Sequence, residues 1–214
     1  IISLLCIALT FLISCEEEII VGSGNIISES RELPGFDQLE LSEDLRLNIS
    51  QGSEQSITVV GDDNIVELIS TEVVNGSLRI RFTNSDLMFE GENLAVINIV
   101  MPQLQALDLS SGGVFVENFQ VNGSLNIEMK VDAGLDISGS ASQLIVRMDD
   151  ASTMTGFSLA VDECEVELND RSIMEITVNE NLRGRLNDQA FLRFKGETTV
   201  ELDLNDSANL LDSN

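Results

Sequence analysis

The chain has 214 residues, of which 37 are Asp or Glu and 11 are Lys or Arg, for a formal net charge of −26. So acidic a surface repels phosphate backbones and argues against a nucleic-acid partner. There is no His, which removes the commonest general base, the commonest metal ligand and every Ser–His or Cys–His nucleophile pair.

Hydrophobic residues make up 43%, with nine Phe and neither Tyr nor Trp, so the core is aliphatic. The chain opens on an almost unbroken apolar run from Ile1 to Ser14. That is shorter than the ~20 residues of a membrane-spanning helix and suits the apolar segment of a secretory signal. With neither Met nor a basic residue at its start, the signal is expected to lack its first few residues. Leu12-Ile13-Ser14-Cys15 resembles the lipobox of bacterial lipoproteins, in which the Cys is diacylated and becomes the new N-terminus. The resemblance makes residues 1–15 a lipoprotein signal peptide and Cys15 the lipidation site; the alternative is a secretory signal with an incidental Cys. Residues 16–24 read as a flexible acidic tether. Its Glu16-Glu17-Glu18 run is similar to the signal by which some Gram-negative bacteria send lipoproteins to the outer face of the outer membrane. The alternative is a solvated leash.

Residues 25–106 form a first β half. Phe36–Leu41, Leu45–Ile49, Ile57–Val59, Leu78–Phe82 and Leu94–Ile99 alternate apolar with polar residues, the period of a half-buried strand. Leu33-Pro34-Gly35, Gln51-Gly52-Ser53 and Asn75-Gly76 supply turn chemistry between them. One short helix is expected after Asp62-Asp63-Asn64, with Asp62 or Asp63 as its cap.

Residues 107–214 repeat. Six pieces open on an apolar anchor, cross a polar or small turn and return to an apolar residue; the anchors are Leu109, Val131, Met148, Leu168, Leu186 and Leu204, spaced by 22, 17, 20, 18 and 18 residues. Between them lie alternating stretches such as Leu125–Val131, Cys164–Leu168 and Val200–Leu204. Strand-and-turn coils of 17–22 residues predict an all-β protein, a parallel β-solenoid with at most one short helix. Cys164 takes an inward strand position, as a small hydrophobe. The last coil ends at Asn214 without a polar cap, leaving a β edge that is either continued by more chain or met by a partner, including a second copy.

Gly24-Asn25, Arg31-Glu32 and Gly35-Phe36-Asp37, followed by Gln51-Gly52 and Asn75-Gly76-Ser77-Leu78-Arg79-Ile80, resemble the GIN-domain family over about residues 22–210. The resemblance implies a β-helical fold, a location in the cell envelope, often as an exported lipoprotein, and an adhesin role. The family's repeated Ser-Gly-Ala-Gly-Asp turn is kept here only as Ser110-Ser111-Gly112-Gly113 and Asp132-Ala133-Gly134; later turns read Asn-Asp-x-Ser or Asn-Asp-x-Ala.

The constellation best placed for chemistry is a ladder of Asp150, Asp170, Asp188 and Asp206, with Asp132 one place out of register and Asn169, Asn187 and Asn205 alongside. Stacked carboxylates repel, so either a cation such as Ca²⁺ bridges them or an Asn ladder and Asx turns, with the coils staggered, separate them. The Gly-Gly-x-Gly-x-Asp motif of calcium β-rolls is absent. Phe115, Phe119, Phe157, Phe191 and Phe194 read as core or coil caps rather than ligand platforms. No catalytic residue and no cofactor stands out. The expected function is a lipid-anchored envelope module presenting a β-helical surface for adhesion to a glycan or a protein. A periplasmic structural or sensory module binding another protein is the alternative, and a carbohydrate-active enzyme a third.

Overall fold

The computed structural model describes residues 19–84, 86–91 and 95–214. The lipobox-like stretch Leu12–Cys15 and the Glu16–Glu18 run lie outside them. Among the described residues no helix is long and apolar enough to cross a membrane.

The chain runs β1 (Ile19–Val21), β2 (Ile26–Arg31), β3 (Gln38–Leu41), β4 (Arg46–Gln51), β5 (Ser56–Asp62), α1 (Asp63–Val66), β6 (Ile69–Val74), β7 (Ser77–Phe82), β8 (Met88–Glu90), β9 (Ala95–Met101) and β10 (Ala106–Leu109). Four long bent strands follow: β11 (Gly113–Met129), β12 (Gly134–Met148), β13 (Thr153–Leu168) and β14 (Ile173–Leu186). The chain closes with β15 (Phe191–Lys195), β16 (Thr199–Leu204) and β17 (Asn209–Asp212).

From β9 onward each coil lies parallel on the one before it, a parallel β-solenoid. Register shifts break each long strand into three runs, seen in β11 as Gly113–Val116, Phe119–Val121 and Ser124–Met129. Within the runs burial alternates, and the inward residues of all coils merge into one cluster of Leu, Ile, Val and Met. A single coil of this size could not offset its own backbone entropy, so the stack is the folding unit.

Strict register corrects one anchor. Leu109, Met129, Met148, Leu168, Leu186 and Leu204 are partners across successive coils. Met129, not Val131, therefore ends its strand, and the coil steps become 20, 19, 20, 18 and 18 residues. Val131 is 56% exposed with φ 46°, because it begins the turn rather than ending the strand.

The five turns after Met129, Met148, Leu168, Leu186 and Leu204 share one construction. The fourth residue's amide donates to the first residue's carbonyl, as from Ala133 to Lys130 (3.1 Å), Ser172 to Asn169 (3.0 Å) and Ala190 to Asn187 (2.9 Å). In four of them both central residues have positive φ: Val131-Asp132, Asp150-Ala151, Asp170-Arg171 and Asp188-Gln189. That is the type I′ geometry, which Asn and Asp tolerate better than most residues. Coil-to-coil bonds then join the turns, with the amides of Asp132, Ala151 and Arg171 donating to the carbonyls of Asp150, Asp170 and Asp188.

The stack continues into the first β half without a break at residue 107. β10 pairs with β3 and β3 with β7, while β11 pairs with β4 and β4 with β9, all parallel. Beyond them the direction reverses: β6 is antiparallel to β7, β5 to β9, and β2 to β5. Asn75-Gly76 forms the β6–β7 hairpin turn with φ 52° and 83°. α1 lies between β5 and β6 and buries Ile65 and Val66. The helix is present with Asp62 at its N-cap position, but Asp62 makes no side-chain cap bond, and the Asp63 carboxylate accepts the Asn64 amide at 2.8 Å. At the other end β16 and β17 each pair on one side, and Val200, Leu204 and Leu211 are exposed along them.

Candidate functional site

Because the coils are in register, outward side chains form columns along the stack. One column on the third run reads Glu40, Asp108, Glu128, Arg147, Glu167, Arg185 and Asp203. In its later part opposite charges meet: Glu167 lies 3.5 Å from Arg147 and 3.9 Å from Arg185, and in the next column Arg183 lies 3.0 Å from Glu165. In its earlier part three carboxylates are consecutive. Arg79 holds Glu40 at 2.9 Å and Lys130 holds Glu128 at 2.5 Å, leaving Asp108 between them. Desolvation, with Glu128 and Glu40 on either side, pushes the Asp108 carboxyl above the usual range, only partly countered by Lys130. A shallow groove of about 400 Å³ crosses here over the small Ala106, bordered by Gln38, Asn126 and Arg147.

The predicted Asp positions fall on the turns. Asp150, Asp170, Asp188 and Asp206 occupy the first left-handed position of successive turns, and Val131 shares their column. Asp132 is one step along, in line with Ala151, Arg171 and Gln189. All four ladder Asp are exposed. None of their carboxylates takes a hydrogen bond from a described residue, so they do not form the expected Asx turns; their backbone conformation accounts for the choice of Asp. Among the described residues no three His, Cys, Asp or Glu are arranged to hold a metal ion.

The hydrogen-bonded ladder runs one residue earlier. Asn169 Nδ2 donates to Asp149 Oδ1 at 2.7 Å, Asn187 Nδ2 to Asn169 Oδ1 at 2.7 Å, and Asn205 Nδ2 to Asn187 Oδ1 at 2.8 Å. Each amide gives a donor to one coil and an acceptor to the next, so the ladder ties the turns together. Its place beside the core makes it structural. The fourth turn position carries a column sequence reasoning missed: Ala133, Ser152, Ser172 and Ala190 are fully buried. The hydroxyls of Ser152 and Ser172 have no hydrogen-bond partner among the described residues.

Of the Phe candidates, Phe119 and Phe194 are core. Phe115 is 39% exposed with the Arg46 guanidinium 4.5 Å from its ring centre, and Phe157 is half-buried under the Lys195 ammonium at 4.3 Å. Phe191 is half-buried. Cys164 is buried, and desolvation pushes its thiol up to about 12, far from a reactive thiolate.

The opening Gly-Asn pattern is also structural. Asn25 Nδ2 donates to Asp63 Oδ2 at 2.8 Å, and its carbonyl accepts the Asp63 amide at 3.0 Å. The Gly24 amide donates to Asp62 Oδ1 at 2.6 Å, and Ser23 Oγ to Asp63 Oδ1. These bonds hold the Asp63 carboxyl below its ordinary range and fasten residues 23–25 onto α1. Further along, the Phe36 amide donates to Gln55 Oε1 and Gln105 Nε2 to the Asp37 carboxylate.

With this geometry in place, the comparisons with known proteins can be read. The profile of the family described as "putative auto-transporter adhesin, head GIN domain" matches residues 35–198. The chain belongs to the GIN-domain family. A "putative adhesin" from Bacteroides fragilis superposes with TM-score 0.68 at 17% identity, covering 90% of this chain and 98% of that one. A "putative adhesin" from Parabacteroides distasonis gives 0.58 at 15%, covering 91% and 100%. A "putative lipid binding protein" from the same species gives 0.52 at 14%, covering 92% and 100%. At these identities the likeness concerns the fold. No curated protein sequence matches the chain.

Proposed function

We propose that this GIN-domain chain is a lipid-anchored cell-envelope protein that binds a partner through the outer faces of its coils, and that it is non-catalytic. The observation that carries the reading is the register of the coils. It sets polar side chains in columns over a long, open surface, as recognition of an extended partner requires. The family's description as an adhesin head supports the same view. A chain without His whose one described free Cys is buried has little with which to build a nucleophile or a metal centre. Cys15 is the proposed site of lipid attachment, and the Glu run after it the proposed signal for the outer face.

Protease shaving of intact cells tests the reading, using the full-length protein beside Cys15→Ala. Loss of the wild-type protein from intact cells, with release of the variant from the membrane fraction, is the expected result. Digestion only after lysis places the solenoid in the periplasm and overturns the adhesin reading in favour of a structural or sensory module.

A further inference from the structure

The acidic character of this protein is not spread evenly over its surface. Residues 101–107, 118–127 and 137–146 contain no charged side chain, although 22% of the chain is charged. They come from three successive coils, and the stack brings them together. The loop between β9 and β10 lies beside the second run of β11, at 17 residues the longest of the four bent strands. Between them is a groove of about 410 Å³, within the range of small-ligand sites. Its polar lining is amide and hydroxyl: Gln103, Gln105, Gln120, Asn122, Ser124 and Asn126, with the Gln105 amide donating to the Asp37 carboxylate.

Several of these groups are set in place or unsatisfied. Gln120 Oε1 accepts the Ser140 hydroxyl at 2.7 Å, and its amide nitrogen bonds to no described residue. The side chains of Gln103 and Asn122 are exposed and bond to no described residue. Ser124 Oγ, in the groove wall, is buried without a partner among the described residues. Strand addition, the usual way for a peptide to bind a β-sheet, is obstructed at Gln120. The Gln51 side chain accepts the Gln120 amide at 3.0 Å and donates to its carbonyl at 3.2 Å, so the backbone of Gln120 is already satisfied.

We infer that this groove binds an uncharged saccharide. Each sugar hydroxyl both donates and accepts, and side-chain amides answer both functions in a fixed plane. A groove without charge neither repels such a ligand nor costs a desolvated ion. No aromatic ring stacks here, so a single site is weak; many anchored copies on one cell turn weak sites into firm attachment. The inference rests on the surface-binding reading above and names its ligand class.

The test is affinity electrophoresis of the purified protein through gels containing mannan, dextran or galactan, with polygalacturonate, heparin and gelatin as the charged and peptide alternatives. Retardation by at least one neutral polysaccharide is expected. It should weaken about tenfold or more in the double variant Gln103→Ala/Asn122→Ala and persist in Arg183→Ala, on a different run. Ser124→Ala serves as a second groove variant, and circular dichroism confirms that each is folded. Retardation only by a charged polymer or gelatin, by none of the gels, or equally in the double variant overturns the assignment. Purified protein behaves the same wherever the cell keeps it. Shaved cells with no neutral retardation would therefore sink the saccharide and spare the surface reading; retardation with protected cells would do the reverse.

Discussion

The two kinds of corner in a coil behave differently. At the turn corner the step from strand end to next strand start is five residues in every coil from Met129–Gly134 to Leu204–Asn209. At the bulged corners the count varies, and the bent strands run to 17, 15, 16 and 14 residues. From Met129 onward the irregularity of the repeat is therefore confined to one side. The turn corner is fastened by left-handed residues, a buried small side chain and the Asn ladder, and these hold the register of everything after them. The bulged corners are fastened by less and are free to vary, and the neutral groove sits at the longest of them.

Single-residue insertions offer the most severe way to break this contrast. A Gly inserted between Asp188 and Gln189 should cost roughly 3 kcal/mol or more, since it removes a turn bond and shifts β15–β17 against β14. The same insertion between Asn179 and Glu180, at a bulged corner, should cost about 1 kcal/mol or less. Urea unfolding measures both, and equal losses would erase the distinction. Next in size is Asn187→Ala. It leaves the half-buried Asn169 oxygen and the Asn205 amide without partners, for a loss of about 1–2 kcal/mol.

A gain is expected at Val131, a β-branched residue in a left-handed conformation where the other turns place Asp. Val131→Asn should stabilise the protein by about 1 kcal/mol, read as a higher unfolding midpoint at unchanged slope. The smallest effect is a pH dependence. The Asp108 carboxyl is raised in the folded state, so the folded protein binds that proton more tightly than the unfolded chain and gains stability as pH falls through the raised value. Asp108→Asn should therefore be the more stable protein at neutral pH, with the gap closing in acid. A constant gap across a pH series of thermal melts would show that the Asp108 charge is not its cause.

Much of this was legible in the sequence. Period-two alternation revealed the strands, the recurrence revealed the stack, and Cys164 read correctly as an inward position. The misplaced anchor shows the limit. Leu125, Ile127, Met129 and Val131 alternate without interruption, and alternation carries no mark of where a strand ends and a turn begins. The better marker was the small residue at 133, 152, 172, 190 and 208, whose meaning depends on the turn that buries it. The Asp ladder was visible as a column, but the left-handed backbone that its residues share was not. The charge-free stretches were each visible too. Their meeting was not, because it depends on which coil lies beside which.

The ends of the column are chemically unlike. At one, α1 and the reversed strands β5 and β6 lie across the stack; at the other, β16 and β17 present a parallel edge with Val200, Leu204 and Leu211 along it. Among the described residues each end keeps strands paired on one side only, β2 and β6 at one and β16 and β17 at the other. Each coil of this construction lengthens the stack by one strand spacing, about 4.8 Å. The length of the stack is thus counted in coils, and it changes by duplication of a repeat of 18 to 20 residues without redesign of the rest.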